Sequence, residues 1–198
     1  MISFNNIQNS GPLKILYENY KKALNSKEKN IERLVISSFN RNKNEVDSRC
    51  VNLKFVNGNE FIFFSNYQSE KANDFKSHNQ VSALLYWESI NLQVRIKAKI
   101  TKTSTEFNAE YFNNRSPEKN ALAISSDQSQ IIASYDLVKE KYEFVKKNKN
   151  LLKCPKYWGG YSFSPYLIEF WEGNDFRLNK RNMYRKEKNI WNHSILEP

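Results

Sequence analysis

The chain has 198 residues, 39% hydrophobic and 14% aromatic, with a formal net charge of +10 from 31 basic and 21 acidic side chains. That length builds one domain with a real core. With 26% charged residues, and no apolar run near the roughly 20 residues that a spanning helix needs, a membrane-embedded protein is excluded. The positive balance points to an anionic partner. Lys and Asn are scattered along the chain and form no blocks, which favours small phosphorylated ligands and argues against nucleic acid. Met1 to Ser10 has neither the basic nor the apolar run of a secretory signal, so the cytoplasm is the expected compartment. Cys50 and Cys154 are then expected to be free thiols. Two histidines, His78 and His193, build no metal site, and none is expected.

Taken in chain order, residues 1–11 are expected to be a mobile arm. Pro12 to Leu24 spaces Leu13, Leu16, Tyr17, Tyr20 and Leu24 at the helical period, with Pro12 in the first turn. Arg33 to Phe39 and Asp47 to Phe55 are predicted strands. Asn57-Gly58 predicts a tight hairpin turn between the second of these and Glu60 to Asn66. Ser69 is placed to cap a short helix, Glu70 to Ser77. Val81 to Trp87 is a strand, and so is Leu92 to Lys102, where Val94, Ile96, Ala98 and Ile100 alternate with Gln93, Arg95, Lys97 and Lys99. Thr103 and Glu106 read as a capping box for a helix to about Asn114. Arg115-Ser116-Pro117 stops it, and Glu118 to Ser125 and Tyr135 to Asn148, the latter capped by Ser134, are further helices.

The C-terminal stretch carries the densest pattern. Trp158-Gly159-Gly160 leads into an apolar strand containing Leu167, Ile168, Phe170 and Trp171. A turn follows at Glu172-Gly173-Asn174-Asp175, where Gly173 is available for a positive φ. Strand alternation then puts Arg177, Asn179 and Arg181 on one face, where two guanidinium groups suit a phosphate or an anionic ring. Hairpin-connected strands with inserted helices predict a mainly β fold, an antiparallel barrel in a single domain over residues 1–198. Gly-rich dinucleotide and P-loop motifs are absent, as are zinc-protease and paired-cysteine motifs. Redox chemistry here needs an organic cofactor.

Several segments together resemble the pyridoxine/pyridoxamine 5′-phosphate oxidases. They are Arg49-Cys50-Val51-Asn52-Leu53-Lys54, Phe63-Phe64-Ser65-Asn66, Ser69-Glu70-Lys71-Ala72, Tyr86-Trp87-Glu88, Gln93-Val94-Arg95-Ile96, Gln128-Ser129, Trp158-Gly159-Gly160, Ile168-Glu169-Phe170-Trp171, Arg177-Leu178-Asn179-Lys180-Arg181 and Leu196-Glu197-Pro198. The resemblance spans roughly Pro12 to Pro198. It implies an FMN-binding split barrel acting as a homodimer, with flavin at the subunit interface and a phosphorylated B6 vitamer and O2 as substrates. By residue, it implies flavin contacts from Arg49, Cys50, Val51, Asn52, Leu53, Lys54, Phe64, Ser65, Lys71, Gln93, Gln128, Ser129, Trp171 and Arg181. It implies substrate contacts from Lys54, Tyr111, Arg115, Lys119, Arg177 and Asn179, with Arg177 and Asn179 nearest the reacting carbon.

Three positions depart from the family pattern: Asn179 replaces a His, Lys119 a Ser, and Glu70 a cation. The first two motivate an alternative substrate, another reduced ring compound of the dihydrophenazine kind. The third puts a carboxylate near a flavin phosphate unless Glu70 turns to solvent. Without the resemblance, Arg49 and Lys54 read as a solvated strand face, Gln128-Ser129 as an ordinary polar loop and Trp171 as core. The charge alone suggests a non-catalytic or nucleic-acid-binding barrel.

Overall fold

The computed structural model describes residues 1–198. Ten strands form one sheet in the order β1-β4-β5-β8-β7-β6-β2-β3, with β9 on β8 and β10 on β9. In chain order these are β1 (Ser3–Asn5), β2 (Arg33–Asn40), β3 (Glu45–Asn52), β4 (Phe55–Asn57), β5 (Glu60–Asn66), β6 (Gln80–Trp87), β7 (Leu92–Lys102), β8 (Trp158–Glu172), β9 (Lys180–Glu187) and β10 (Ile190–Leu196). Five helices are inserted: α1 (Pro12–Asn25), α2 (Glu70–Ser77), α3 (Thr105–Asn113), α4 (Pro117–Ser125) and α5 (Tyr135–Asn148). All pairings are antiparallel except β1 with β4. No helix is long and apolar enough to cross a membrane.

The core follows the alternation. On β7, Val94, Ile96, Ala98 and Ile100 are buried, while Arg95, Lys97 and Lys99 face solvent. Opposite them, β8 is the longest strand, and Phe163 stacks at 5.3 Å on Phe61 inside the sheet. β8 also serves as a spine. Its first half pairs with β5, its second half with β9, and β7 runs along both. The register slips beside Pro165, which has no N–H for the ladder. Helix α1 closes one end of the sheet with Leu13, Leu16, Tyr20 and Ala23 buried, and the Trp87 indole donates to the Ile31 carbonyl at 3.0 Å.

Several expectations need correction. The strand expected over 47–55 breaks after Asn52. The Leu53 N–H bonds the Glu32 carbonyl, and the Lys54 N–H bonds the Ile62 carbonyl, so the chain steps from the β2 side of the sheet to β5. Only the short β4 therefore forms the Asn57-Gly58 hairpin with β5, and β3 pairs with β2 instead. The segment expected to be a mobile arm is docked over its first residues. Ile2 is buried, its N–H donates to the Tyr20 hydroxyl, and the Phe4 ring lies 5.0 and 4.9 Å from Tyr17 and Tyr20.

The helix caps also differ. Ser104, not Thr103, caps α3, accepting from the Phe107 N–H. Thr103 turns inward to Asn108 and the Gly160 carbonyl. Ser69 starts α2 but donates its hydroxyl to the Asn66 carbonyl and accepts no cap bond. Gly173 does not have a positive φ; it lies against the Asn91 side chain, which an added Cβ would force to shift.

Truncation of Phe163 to Ala should cost about 3–5 kcal/mol, because the ring is fully buried and the site cannot collapse around the gap. The check is a lower urea midpoint at unchanged slope. The exposed Val46→Ala on β3 should stay within about 0.5 kcal/mol of the parent.

Candidate functional site

A cleft of about 530 Å³ opens where the chain crosses between the two ends of the sheet. It is lined by the end of β3, the Leu53–Lys54 crossover, β5, the α3–α4 corner and the start of β8. It gathers Cys50, Val51, Asn52, Lys54, Phe64, Ser65, Lys71, Tyr111, Arg115, Lys119 and Gln128 from the residues singled out in the sequence. Local folding explains their convergence. Position 54 leaves the crossover, Lys71 sits in the first turn of α2, Tyr111 lies in the last turn of α3, and Arg115 follows the Asn114 cap in the α3–α4 corner.

The floor is aromatic. Phe64 stacks on Tyr111 at 3.8 Å and on Trp158 at 5.1 Å, with planes within 12°. The Arg115 guanidinium lies 4.4 Å from the centre of the Trp158 ring. Its Nη2 donates to the Lys119 carbonyl at 3.3 Å, and its buried Nη1 has no partner. Burial pushes its pKa down, and no carboxylate pairs with it. Burial also raises the Tyr111 hydroxyl, against the opposing charge of Arg115, so it remains a neutral donor at physiological pH.

Lys71 is a second cation without a carboxylate, and it is buried. It is 8% exposed, and its ammonium reaches only the hydroxyls of Ser65 (3.3 Å) and Ser69 (3.2 Å). Burial and then the nearby Arg49 charge hold its pKa below the ordinary value. Gln128 folds over the same end, its Oε1 accepting from the Ser65 hydroxyl and the Asn66 N–H. The third cation, Lys54, is paired: its Nζ lies 2.8 and 2.7 Å from the two carboxylate oxygens of Glu32. Burial alone would raise the Glu32 carboxyl, yet hydrogen bonds from Lys54 and the Met1 ammonium hold it below its usual value.

Other expected residues lie elsewhere. Arg49 does not line the cleft; its guanidinium is taken by Ser38, Asp47 and the buried Asp74. Leu53 is fully buried in the core. Ser129 lines a separate 210 Å³ hollow with Gln128. Glu70 turns outward, more than half exposed, and pairs with Lys43 at 2.9 Å, so no carboxylate intrudes beside Lys71.

Gln93, Trp171 and Arg181 form one rung across β7, β8 and β9. Arg181 donates through Nε and Nη2 to Glu169 and through Nη1 to the Glu197 carbonyl. Arg177 does not share their strand. It ends a 3₁₀ turn, Asp175–Arg177, in which Phe176 and Arg177 have φ of 55° and 61°. Asn179 precedes β9, and its Oδ1 accepts from the Asn174 N–H at 3.1 Å. The alternation argument for Arg177, Asn179 and Arg181 fails because the strand starts only at Lys180.

Two cleft residues carry roles that the sequence reading missed. Trp158 stood in the Trp-Gly-Gly motif, where Gly159 and Gly160 are needed because a Cβ at either would meet Tyr67, Asn108 or Thr103. Glu32 had no signal at all; it lies immediately ahead of β2.

The fold and site therefore define a split β-barrel with a cation-lined cleft on an aromatic floor. Residues 21–148 match the family described as pyridoxamine 5′-phosphate oxidase, and residues 158–198 match the pyridoxine 5′-phosphate oxidase C-terminal dimerisation region. The chain belongs to the pyridoxine/pyridoxamine 5′-phosphate oxidase family. It is 38% identical over 153 residues to a pyridoxine/pyridoxamine 5′-phosphate oxidase of Aliarcobacter butzleri, covering 76% of this chain and 72% of that one. A Cytophaga hutchinsonii enzyme of the same name is 39% identical over 150 residues, covering 73% and 69%.

Among solved structures, PhzG from Burkholderia lata in complex with tetrahydrophenazine-1-carboxylic acid superposes with a TM-score of 0.90 at 22% identity, over 96% of this chain and 93% of that one. A pyridoxamine 5′-phosphate oxidase-related, FMN binding protein from Nostoc punctiforme gives 0.79 at 12% identity, over 96% and 100%. At these identities the likeness is one of fold.

Lys71 supplies a prediction whose sign follows from linkage. Its folded pKa lies below the ordinary 10.5, so the charged form is penalised in the fold. That penalty is full at neutral pH and is relieved as pH rises through the depressed value. Lys71→Met should therefore raise the urea midpoint at pH 7. The same change should weaken retention of a phosphorylated ligand at least about tenfold, because one charge-assisted contact is lost. Parallel denaturation and ligand-retention measurements check both halves.

Proposed function

We propose that this chain is an FMN-dependent oxidase that converts pyridoxamine or pyridoxine 5′-phosphate to pyridoxal 5′-phosphate, using O2 and releasing H2O2, as a homodimer with flavin at the interface. The observation that carries the proposal is the pair of cations, buried Lys71 and half-buried Arg115 with its buried Nη1, held without carboxylate partners in one cleft. An unpaired buried charge is costly, and an anionic ligand removes that cost. The cleft fits the cofactor in chemistry as well: an aromatic floor for a flat ring, hydroxyls of Ser65 and Ser69 beside Lys71, and the Gln128 amide.

When bound, FMN supplies the redox chemistry, accepting a hydride from the substrate C4′ and returning the electrons to O2. The chain's own residues bind and orient. Lys71, Ser65 and Gln128 hold the flavin end. Lys54, Tyr111, Arg115 and Lys119 hold the substrate phosphate, Tyr111 as a neutral hydroxyl donor and Arg115 through its free Nη1. Trp158 keeps the guanidinium flat against the floor. The row of Gln93, Trp171 and Arg181, with Arg177 and Asn179 beyond it, lies toward the far end of β8 from Trp158. It completes the cleft of a second copy, where Arg177 orients the substrate ring. Hydride transfer needs no dedicated base, and none is assigned.

A second reading keeps FMN and changes the substrate to another reduced ring compound. It is favoured by Asn179, whose Oδ1 is spent on the turn at Asn174, and by Lys119 in the cleft wall.

The visible spectrum of the purified protein should show flavin, and anaerobic pyridoxamine 5′-phosphate should bleach it. Flavin that bleaches only with other reduced heterocycles supports the second reading, and colourless protein that binds no added FMN overturns both. Sharing between subunits has its own test. Arg115→Ala and Arg177→Ala should each lose most turnover. Their mixture, after subunit exchange, should regain about a quarter of parental activity, since about half the dimers are mixed and each carries one intact site. No recovery in demonstrably mixed dimers would remove the shared site.

A further inference from the structure

The cleft contains one carboxylate, and the proposed reaction does not use it. Glu32 lines the wall, its side chain one-quarter exposed, and both of its oxygens lie within 2.8 Å of Lys54 Nζ. Its position is imposed by the backbone, since the Glu32 carbonyl accepts the Leu53 N–H at the crossover that delivers Lys54. The other cation on Glu32, the Met1 ammonium at 3.0 Å, is exposed and screened by water. Lys71, Arg115 and Lys119 also line the cleft, but none forms an ion pair with Glu32.

We propose that Glu32 is a specificity-determining residue: it holds Lys54 as a fixed counter-anion, so that its charge weakens dianion binding at this end of the cleft more than monoanion binding. The inference rests on the reading of Lys54 as an anion-binding group. An anion arriving at Lys54 Nζ must share the ammonium with the carboxylate and sit within a few ångströms of it. Coulomb repulsion scales with the charge of the newcomer, so a phosphate dianion is opposed about twice as strongly as a carboxylate. A dianionic phosphate binds there more weakly than the number of cations in the cleft suggests.

The test is calorimetric titration of inorganic phosphate and of acetate into the protein as purified, with whatever flavin it carries, near pH 7.5, for the parent and for Glu32→Gln, Glu32→Asp and Glu32→Ser. Glu32→Gln should bind phosphate about tenfold tighter and acetate about threefold tighter, the logarithm of the gain following the charge. Glu32→Ser should show the same sign, and Glu32→Asp, which keeps the charge, should stay near the parent. The gain should persist in a Lys71→Met background, which separates it from the flavin-phosphate end. For pyridoxamine 5′-phosphate turnover, KM should fall in Glu32→Gln with kcat little changed. Equal or weaker phosphate binding in the neutral variants, or equal gains for the two ions, would overturn the proposal. Absence of flavin or of B6-phosphate turnover in the parent would sink the oxidase reading alone, because the titration still reports on Glu32 in the protein as purified.

Discussion

Two consecutive backbone hydrogen bonds hold this molecule's functional geometry in place. The Leu53 N–H goes to one end of the sheet, at Glu32, and the Lys54 N–H to the other, at Ile62. The strand expected through this region is sacrificed so that the chain can cross the opening of the barrel. The gain is a cleft whose walls come from distant parts of the chain. Leu53 anchors the step by burying its whole side chain in the core. With one side chain sealed inside, the next one must emerge on the other side of the chain, and that residue is Lys54. The same step fixes Glu32 opposite it. A loop of the same length, free of both sheet ends, would leave Lys54 as one more surface lysine on a chain that has many.

The molecule treats its arginines and lysines in two ways. Arg49, Arg95 and Arg181 are neutralised by carboxylates, and the acids concerned, Asp74 and Glu169, are themselves buried. These pairs tie β2, β3 and α2 together at one end and β7, β8 and β9 at the other. A buried charge whose partner is removed is strongly destabilising, so these arginines have structural work whether or not a ligand is present. Lys71 and Arg115 have no such partners; their ammonium and guanidinium groups face hydroxyls, a carbonyl and an indole ring. Stability alone does not favour that arrangement. It is the arrangement that the proposed anion site calls for.

Much of this was legible in the sequence wherever a local rule acts alone. The bounds of β5, β7 and α5 follow from alternation, a hairpin signal and a serine cap, and the structure agrees with them residue for residue. The motif resemblance located most of the cleft lining. What was not legible depends on where a tertiary partner sits. Thr103 looked like a cap, but Asn108 and Gly160 offer its hydroxyl a buried partner, so Ser104 takes the helix end. Arg177 looked like a strand residue aligned with Arg181, but the tight turn after Glu172 uses up its place in the ladder. Gly173 looked like a turn glycine and is in fact a contact glycine against Asn91. Glu32 carried no pattern because its importance comes entirely from Lys54, which is 22 residues away in sequence.

Under the shared-site proposal, the length of β8 is the reason one copy of the chain would not finish its own site. Trp158 stands at the cleft where β8 begins, and Trp171 stands in the rung with Gln93 and Arg181 where β8 ends. At ~3.3 Å per residue, roughly 40 Å of strand separates them, less across the curve of the sheet. No side chain reaches over that distance, and β8 is held rigid on both flanks by β5, β7 and β9. A single protomer can therefore present two half-sets of residues but cannot bring them together by bending. In the proposed dimer a second molecule supplies the missing half, turned so that the end of its β8 meets the start of the first. A two-fold axis satisfies that condition twice at once, because each copy donates one end and receives the other. The match of residues 158–198 to a dimerisation region fits this requirement, since that segment is β8, β9 and β10 and contains both ends of the spine.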